Sequence, residues 1–204
     1  MLEDETAIIE EIVVEKPKID LARRLPAIFL VGPMGAGKTT IGKLLAKQLG
    51  REFIDCDWYI IEQTGADIPW IFDKEGEIGF RDRETKALSE LTAMPNIIMA
   101  TGGGAVGRAE NRALLKQGLV IYLDASVDTQ LIRTKKDKNR PLLQNDNPRA
   151  ILEKLYQERS PLYKEVADII VPTGRAFPKQ MIAEILQCLT EYANTHSSQP
   201  TVTP

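Results

Sequence analysis

The stretch Gly32-Pro33-Met34-Gly35-Ala36-Gly37-Lys38-Thr39 decides the fold class. It fits the spacing GxxxxGK[ST], and it lies between an apolar run, Ala27-Ile28-Phe29-Leu30-Val31, and a helical pattern, Ile41, Leu44, Leu45, Ala46 and Leu49. Strand, glycine loop and helix are the context in which such a loop binds phosphate. Its backbone N–H groups curl around the anion while the following helix aims its positive end at the same charge. Gly35, Ala36, Gly37, Lys38, Thr39 and Thr40 are therefore the candidate nucleotide-binding residues. Lys38 is expected to reach the terminal phosphates, and Thr39 to ligate Mg²⁺.

A chain of 204 residues suits one α/β domain. Its 43% hydrophobic and 27% charged residues are ordinary for a soluble globule, and a net charge of −3 gives no reason to expect nucleic acid or membrane as a partner. Cys56 and Cys188 form no metal-binding spacing and suit a reducing cytoplasm. The only histidine, His196, lies in a polar tail, so any base must be a carboxylate, Lys or Tyr. The N-terminus is too acidic for a secretory signal or transit peptide.

Along the chain, residues 1–25 read as an N-terminal extension, a short helix or a flexible arm. Residues 26–193 read as a single domain and 194–204 as a flexible tail. Glu52-Phe53-Ile54 forms a second strand ending in Asp55-Cys56-Asp57. Alternation along a strand puts Asp55 and Asp57 on one side, at the end where doubly wound sheets bind ligands; the competing reading makes Asp57 a helix N-cap. A helix follows to Thr64, Gly65 breaks it, and a long helix runs from Glu77 to about Ala93. Arg81 and Glu84, three apart on one face of that helix, are near enough for Glu84 to orient the guanidinium, but on sequence alone the reading as an ordinary surface ion pair is favoured.

Asn96-Ile97-Ile98-Met99-Ala100 is a buried-type strand running into Thr101-Gly102-Gly103-Gly104, where three glycines allow positive φ and close approach of backbone to a ligand; the competing reading is a plain turn, which rarely requires three. Another strand, 119–123, leads to a helix containing Arg133. Residues 135–148 read as a polar, basic loop, and loops of that length are usually either functional lids or disordered. A helix from Arg149 to about Ser160 ends before Pro161, and Tyr163 precedes a last strand, 168–171. An amphipathic helix from Pro178 to Tyr192 closes the fold. This alternation implies a three-layer α/β/α architecture on a parallel sheet.

The ordered set GPMGAGKT, DCD at 55–57, GFR at 79–81, TGGGA at 101–105, NRPLL at 139–143 and ERSPLY at 158–163 closely resembles the shikimate kinases, P-loop enzymes of the nucleoside monophosphate kinase fold. The resemblance covers about 28–189 and implies a five-stranded parallel sheet with a mobile lid. It also implies ATP-dependent phosphorylation of the shikimate 3-hydroxyl with one Mg²⁺ per subunit; a cytoplasmic location follows the cysteine usage, and a monomer is the default because no exposed apolar stripe stands out. Under the resemblance, Asp57 handles the attacking hydroxyl and Arg81 and Arg159 clasp the carboxylate. Gly102, Gly103 and Gly104 bind the same substrate, with Gly103 offering N–H, and Ile68, Phe72 and Phe80 line its ring. Asp55 acts on Mg²⁺ through water, Arg140 swings over the phosphates from the lid, and Arg133 contacts adenine. One departure is Ala176, where relatives often carry Arg.

Bidentate cations independently suit a carboxylated acceptor, through charge-assisted hydrogen bonds of roughly 1.5–3 kcal/mol each. Two other kinases share features with this pattern. A nucleoside monophosphate kinase shares the loop but not the triple glycine and paired aspartates; a gluconate-type kinase shares the carboxylated acceptor but fits the motif order less well. An idle nucleotide-binding module, from a different class, is opposed by the presence of every reactive position.

Overall fold

The computed structural model describes residues 19–135, 147–174 and 177–196. The elements, in order, are α1 (Ile19–Arg23), β1 (Ile28–Val31), α2 (Lys38–Leu49), β2 (Glu52–Asp55), α3 (Cys56–Thr64), α4 (Ile68–Thr92), β3 (Ile97–Ala100), a 3-10 turn (Ala105–Gly107), α5 (Ala109–Leu115), β4 (Leu119–Asp124), α6 (Val127–Thr134), α7 (Pro148–Val166), β5 (Ile169–Pro172) and α8 (Pro178–His196). The five strands form one parallel sheet in the order β2-β3-β1-β4-β5. The expected three-layer α/β/α fold with a five-stranded parallel sheet is thus the one observed.

Strand β1 shows why the sheet is central. All four of its residues are buried, with Ile28 and Leu30 on one face and Phe29 and Val31 on the other. The first pair joins a core with Leu44, Leu45 and Leu49 of α2 and Ile185 and Leu189 of α8. The second pair joins Leu88 and Leu91 of α4, Tyr122 of β4 and Tyr163 of α7. A strand covered by helices on both faces needs continuous apolar residues rather than alternation, as the sequence supplies. Each such side chain contributes roughly 1.5–3 kcal/mol on burial.

Strand order also places the site. β1 connects to β2 past β3, whereas β3 connects to β4 past β1, so the chain diverges between β1 and β3. Crevices at such divergences, beyond the C-terminal strand ends, are where these sheets bind ligands. Ala100 pairs with both Leu30 and Asp55. That common register brings the loops after β1, β2 and β3 to one edge, and Thr101 reinforces it by donating both N–H and Oγ1 to the Leu30 carbonyl, each at 3.1 Å.

Several boundaries differ from the sequence reading. Residues 19–25 pack onto the body: Leu21, Ala22 and Leu25 are buried, and the Arg51 guanidinium donates to the carbonyls of Ala22, Leu25 and Pro26. The long helix starts at Ile68, capped by Asp67, whose side chain accepts from Trp70 N–H at 2.8 Å, and it is kinked at Gly76. Gly76 has φ 69° and ψ −174°, a conformation that side-chain-bearing residues rarely adopt. Arg83 grips Glu75 across the kink with two bonds, at 2.7 and 2.6 Å.

Helix α7 does not stop before Pro161 but continues to Val166. Proline removes one N–H and costs about 3 kcal/mol inside a helix, and the burial of Tyr163 and Val166 beyond it offsets this. Helix α8 extends to His196, past the expected start of the tail. The sequence reading passed over α5. No helix among the described residues is long and apolar enough to cross a membrane.

Candidate active site

A cleft of about 620 Å³ opens at the β1/β3 divergence. One end is the loop after β1. Gly32 sits there at φ 144°, and a Cβ on it would lie 2.5 Å from the Leu123 carbonyl oxygen, so the loop can leave β1 this tightly only with glycine. Helix α2 then begins at Lys38, its first turn carrying no acid to compete for the helix's positive end. Gly35, Gly37, Lys38, Thr39 and Thr40 all border the cleft. Ala36 is fully buried and turns into the core, so its contribution to a ligand is confined to its backbone. Lys38 Nζ donates to the carbonyls of Gly32 and Pro33, at 2.7 and 2.9 Å.

Asp55 ends β2 and caps α3, its Oδ1 accepting from Asp57 N–H at 3.1 Å. Its Oδ2 accepts from Thr39 Oγ1 at 2.8 Å. The cap is therefore Asp55, not Asp57, and Asp57 lies in the first helical turn rather than on a strand. Both carboxylates still face the cleft. Asp57 Oδ1 is buried with no hydrogen-bond partner. Burial, reinforced by the negative charges of Asp55 and Glu84 and opposed by Lys38 and Arg81, pushes its pKa up to about 6. Cys56, between them, is fully buried, and burial raises its thiol pKa too, which suits packing rather than chemistry.

The far wall comes from α4. Arg81 Nη1 donates to Glu84 Oε2 at 2.7 Å, and Glu84 is fully buried. This is not the surface pair that the spacing suggested. Glu84 Oε1 has no partner and, like Asp57 Oδ1, points to the space beside Gly102. Burial raises the Glu84 pKa, with Arg81 opposing. Ile68 and Phe80 border the cleft, whereas Phe72 stacks behind Phe80 at 4.7 Å and does not reach it.

The floor is the turn Thr101-Gly102-Gly103-Gly104. None of the three glycines has a positive φ, so the left-handed backbone that glycine allows is not used. What they supply is space. A Cβ on Gly102 would lie 2.8 Å from Glu84 Oε1 and 3.1 Å from Asp57 Oδ1, and one on Gly104 would lie 2.4 to 2.6 Å from the Arg81 guanidinium. Arg159 of α7 borders the cleft and donates through Nη1 to the Gly103 carbonyl at 3.0 Å. Tyr163, one turn on, donates to the same oxygen.

Arg133 of α6 lies over the phosphate loop, donating to the carbonyls of Gly35 and Ala36 on one side and Thr173 and Gly174 on the other. Arg140 and Ala176 lie outside the described residues. Sequence reading did not single out Glu84 as part of the site, nor Thr101 and Tyr163. The Arg81–Glu84 spacing and the SPLY run were the available signals.

The cleft thus has an anion-binding loop at one end and, at the other, two guanidinium groups, a glycine turn and an unpartnered carboxylate. That is the layout for a phosphate donor meeting a small carboxylated alcohol. A family model for shikimate kinase matches residues 34–190. The chain is 63% identical over 178 residues to a shikimate kinase of Psychrobacter arcticus, covering 87% of this chain and 96% of that protein. A shikimate kinase of Acinetobacter baumannii is 55% identical over 166 residues, 81% of this chain and 92% of that one. Among solved structures, shikimate kinase from Acinetobacter baumannii in complex with shikimate superposes with a TM-score of 0.80 at 53% identity, over 82% of this chain and 94% of that chain. A gluconokinase from Sinorhizobium meliloti, at 17% identity and TM-score 0.58, covers 85% and 97% respectively and shares the fold.

Proposed function

The chain belongs to the shikimate kinase family, and from that premise we propose how its own residues transfer a phosphoryl group from ATP to the 3-hydroxyl of shikimate, giving shikimate 3-phosphate and ADP. The reading is carried by one observation. A single cleft joins the phosphate loop to a glycine turn flanked by Arg81 and Arg159, with Asp57 between them.

The shikimate carboxylate is held by Arg81 and Arg159, whose planar forks match its two oxygens. Glu84 keeps Arg81 at the cleft wall through its 2.7 Å bond. Phe80 and Ile68 cover the apolar side of the ring. With the carboxylate fixed at one end, a ring hydroxyl reaches Asp57. That carboxylate, whose pKa stands at about 6, is mostly ionised above neutral pH yet a far better proton acceptor than an ordinary aspartate.

The hydroxyl oxygen attacks the γ-phosphorus in line. Its bond to phosphorus forms as the bond to the β,γ-bridging oxygen breaks, and the electron pair leaves with ADP. The hydroxyl proton passes to Asp57 and on to solvent. Lys38 leaves its loop carbonyls for the β- and γ-phosphates, where its charge is needed as negative charge spreads. Arg140 joins it from the segment 135–148, which acts as the lid. Arg133, which borders the cleft at the end of the phosphate loop, takes the adenine contact in this reading.

Thr39 Oγ1 and Asp55 Oδ2, 2.8 Å apart, present hard oxygen donors and few of them. This suits Mg²⁺, which keeps several waters and takes its other ligands from phosphates. When bound, the ion neutralises phosphate charge and helps orient the γ-phosphoryl group. We further propose a cytoplasmic monomer with no nucleic-acid or membrane partner.

The test is ADP release with Mg-ATP, comparing shikimate, gluconate, AMP, CMP and no acceptor. Turnover that requires shikimate is expected. Turnover with AMP or CMP and not shikimate would overturn the carboxylate pocket, and turnover with gluconate alone would overturn shikimate as the acceptor; both would leave the phosphate loop intact.

A further inference from the structure

The glycine turn after β3 is held by its carbonyl groups. The Gly102 oxygen accepts from Ala105 N–H at 3.2 Å, and the Gly104 oxygen from Gly107 N–H at 2.9 Å. Between them, the Gly103 oxygen accepts from Arg159 Nη1 at 3.0 Å and from the Tyr163 hydroxyl at 2.5 Å. In a trans peptide the carbonyl and the next N–H point to opposite sides. Anchoring the Gly102 and Gly103 oxygens therefore aims the N–H groups of Gly103 and Gly104 the other way, and among the described residues neither has an acceptor. Successive unpaired amides of this kind form a concave anion site. The Arg81 guanidinium lies against Gly104 on the same turn.

Two of these anchors are local to the turn, and only that on Gly103 reaches in from another element. Arg159 is also needed for substrate, so the full-time anchor is Tyr163. Its ring is 1% exposed, stacks on Tyr122 with centroids 5.0 Å apart, and takes no part in the cleft lining. We propose that Tyr163 is a positioning residue for the acceptor: its hydroxyl fixes the Gly103–Gly104 peptide so that the Gly104 N–H meets the substrate carboxylate beside Arg81 and Arg159. Tyr163 touches no substrate; it acts through the peptide. The inference rests on the carboxylate-binding role proposed above.

The test is Y163F, which keeps the ring and its stack on Tyr122 and removes only the hydroxyl. Two acceptors are compared, shikimate and its neutral carboxamide, with Y122F as control because the Tyr122 hydroxyl goes to Asp124 at 2.8 Å and not to the turn. Losing the anchor is expected to raise the KM for shikimate roughly tenfold in Y163F. The kcat, the KM for ATP, the thermal midpoint and the KM for the carboxamide should change little, and Y122F should leave the shikimate KM unchanged. If Y163F keeps the wild-type KM for shikimate, the role is refuted. A general loss, whether of folding, of ATP binding or of both acceptors alike, would assign the hydroxyl to structure alone and equally overturn it. Wild-type protein that takes the carboxamide as readily as shikimate would overturn the carboxylate reading itself, whatever Y163F does.

Discussion

Arg159 and Tyr163, four residues apart on α7, donate to one and the same acceptor, the carbonyl oxygen of Gly103. They share a helical face only because α7 runs through Pro161. The turn that α7 holds also rests on the loop after β1: a Cβ on Gly103 would sit 3.5 Å from Met34 N and 3.7 Å from the Gly32 oxygen, so the two loops pack backbone to backbone. Two substrates can be held in line only if such loops keep their spacing.

Pro161 is exposed, and its ring contributes little packing. Replacing it with alanine restores a donor for the Gln157 carbonyl and removes a steric conflict, while losing some restriction of the unfolded chain. We expect P161A to be more stable by about 1–2 kcal/mol in urea unfolding, with its KM for shikimate unchanged. Destabilisation would mean that the proline shapes α7 rather than interrupts it.

Two glycine substitutions should fail in different ways. In G42A the new methyl would lie 2.3 Å from the Phe53 ring, which is packed against the core, so we expect a stability loss of about 1–3 kcal/mol. In G104A the methyl meets the flexible end of Arg81, at a backbone with φ −100° that any residue adopts. There the fold should survive and the cost should fall on function, with the KM for shikimate rising about tenfold or more and the KM for ATP unmoved. Equal thermal losses in both variants would refute this contrast.

Asp57 has a pKa raised from 3.8 to about 6, so the folded protein binds more protons than the unfolded chain between those values. Native stability therefore falls as pH rises through that window, and is free of the penalty below it. Asn at this position has no such dependence. In metal-free buffer, D57N should be close to wild type in stability near pH 3.5 and more stable by on the order of 2 kcal/mol above pH 6.5. A constant difference across the range would show that Asp57 is not under this strain.

Most of the frame was legible in the chain. Apolar runs marked β1, β3 and β4, because strands buried on both faces must be apolar throughout, whereas the edge strands β2 and β5 are only partly buried; the glycine loop was marked by its spacing. The paired aspartates were rightly brought to the cleft, but for a different reason: helix α3 begins at Cys56, so Asp55 caps it and Asp57 lies in its first turn. The triple glycine does not use the positive φ that glycine allows; what demands glycine there is the crowding of Arg81, Glu84 and Asp57, which only tertiary structure reveals. Glu84 looked like a surface partner of Arg81, since burial is a property of the assembled core and not of i,i+3 spacing. Tyr163 was hidden by the rule that helices stop at proline; with the helix broken on paper at Pro161, its relation to Arg159 could not be seen.

The most direct test of the central claim, that Asp57 handles the proton of the attacking hydroxyl while separate groups hold the two substrates, is a paired measurement on D57N. Equilibrium binding of Mg-ATP and of shikimate is measured beside single-turnover phosphoryl transfer. The account predicts dissociation constants within about tenfold of wild type and transfer slowed by about 10²–10⁴-fold. Transfer at the wild-type rate with both substrates bound would contradict it.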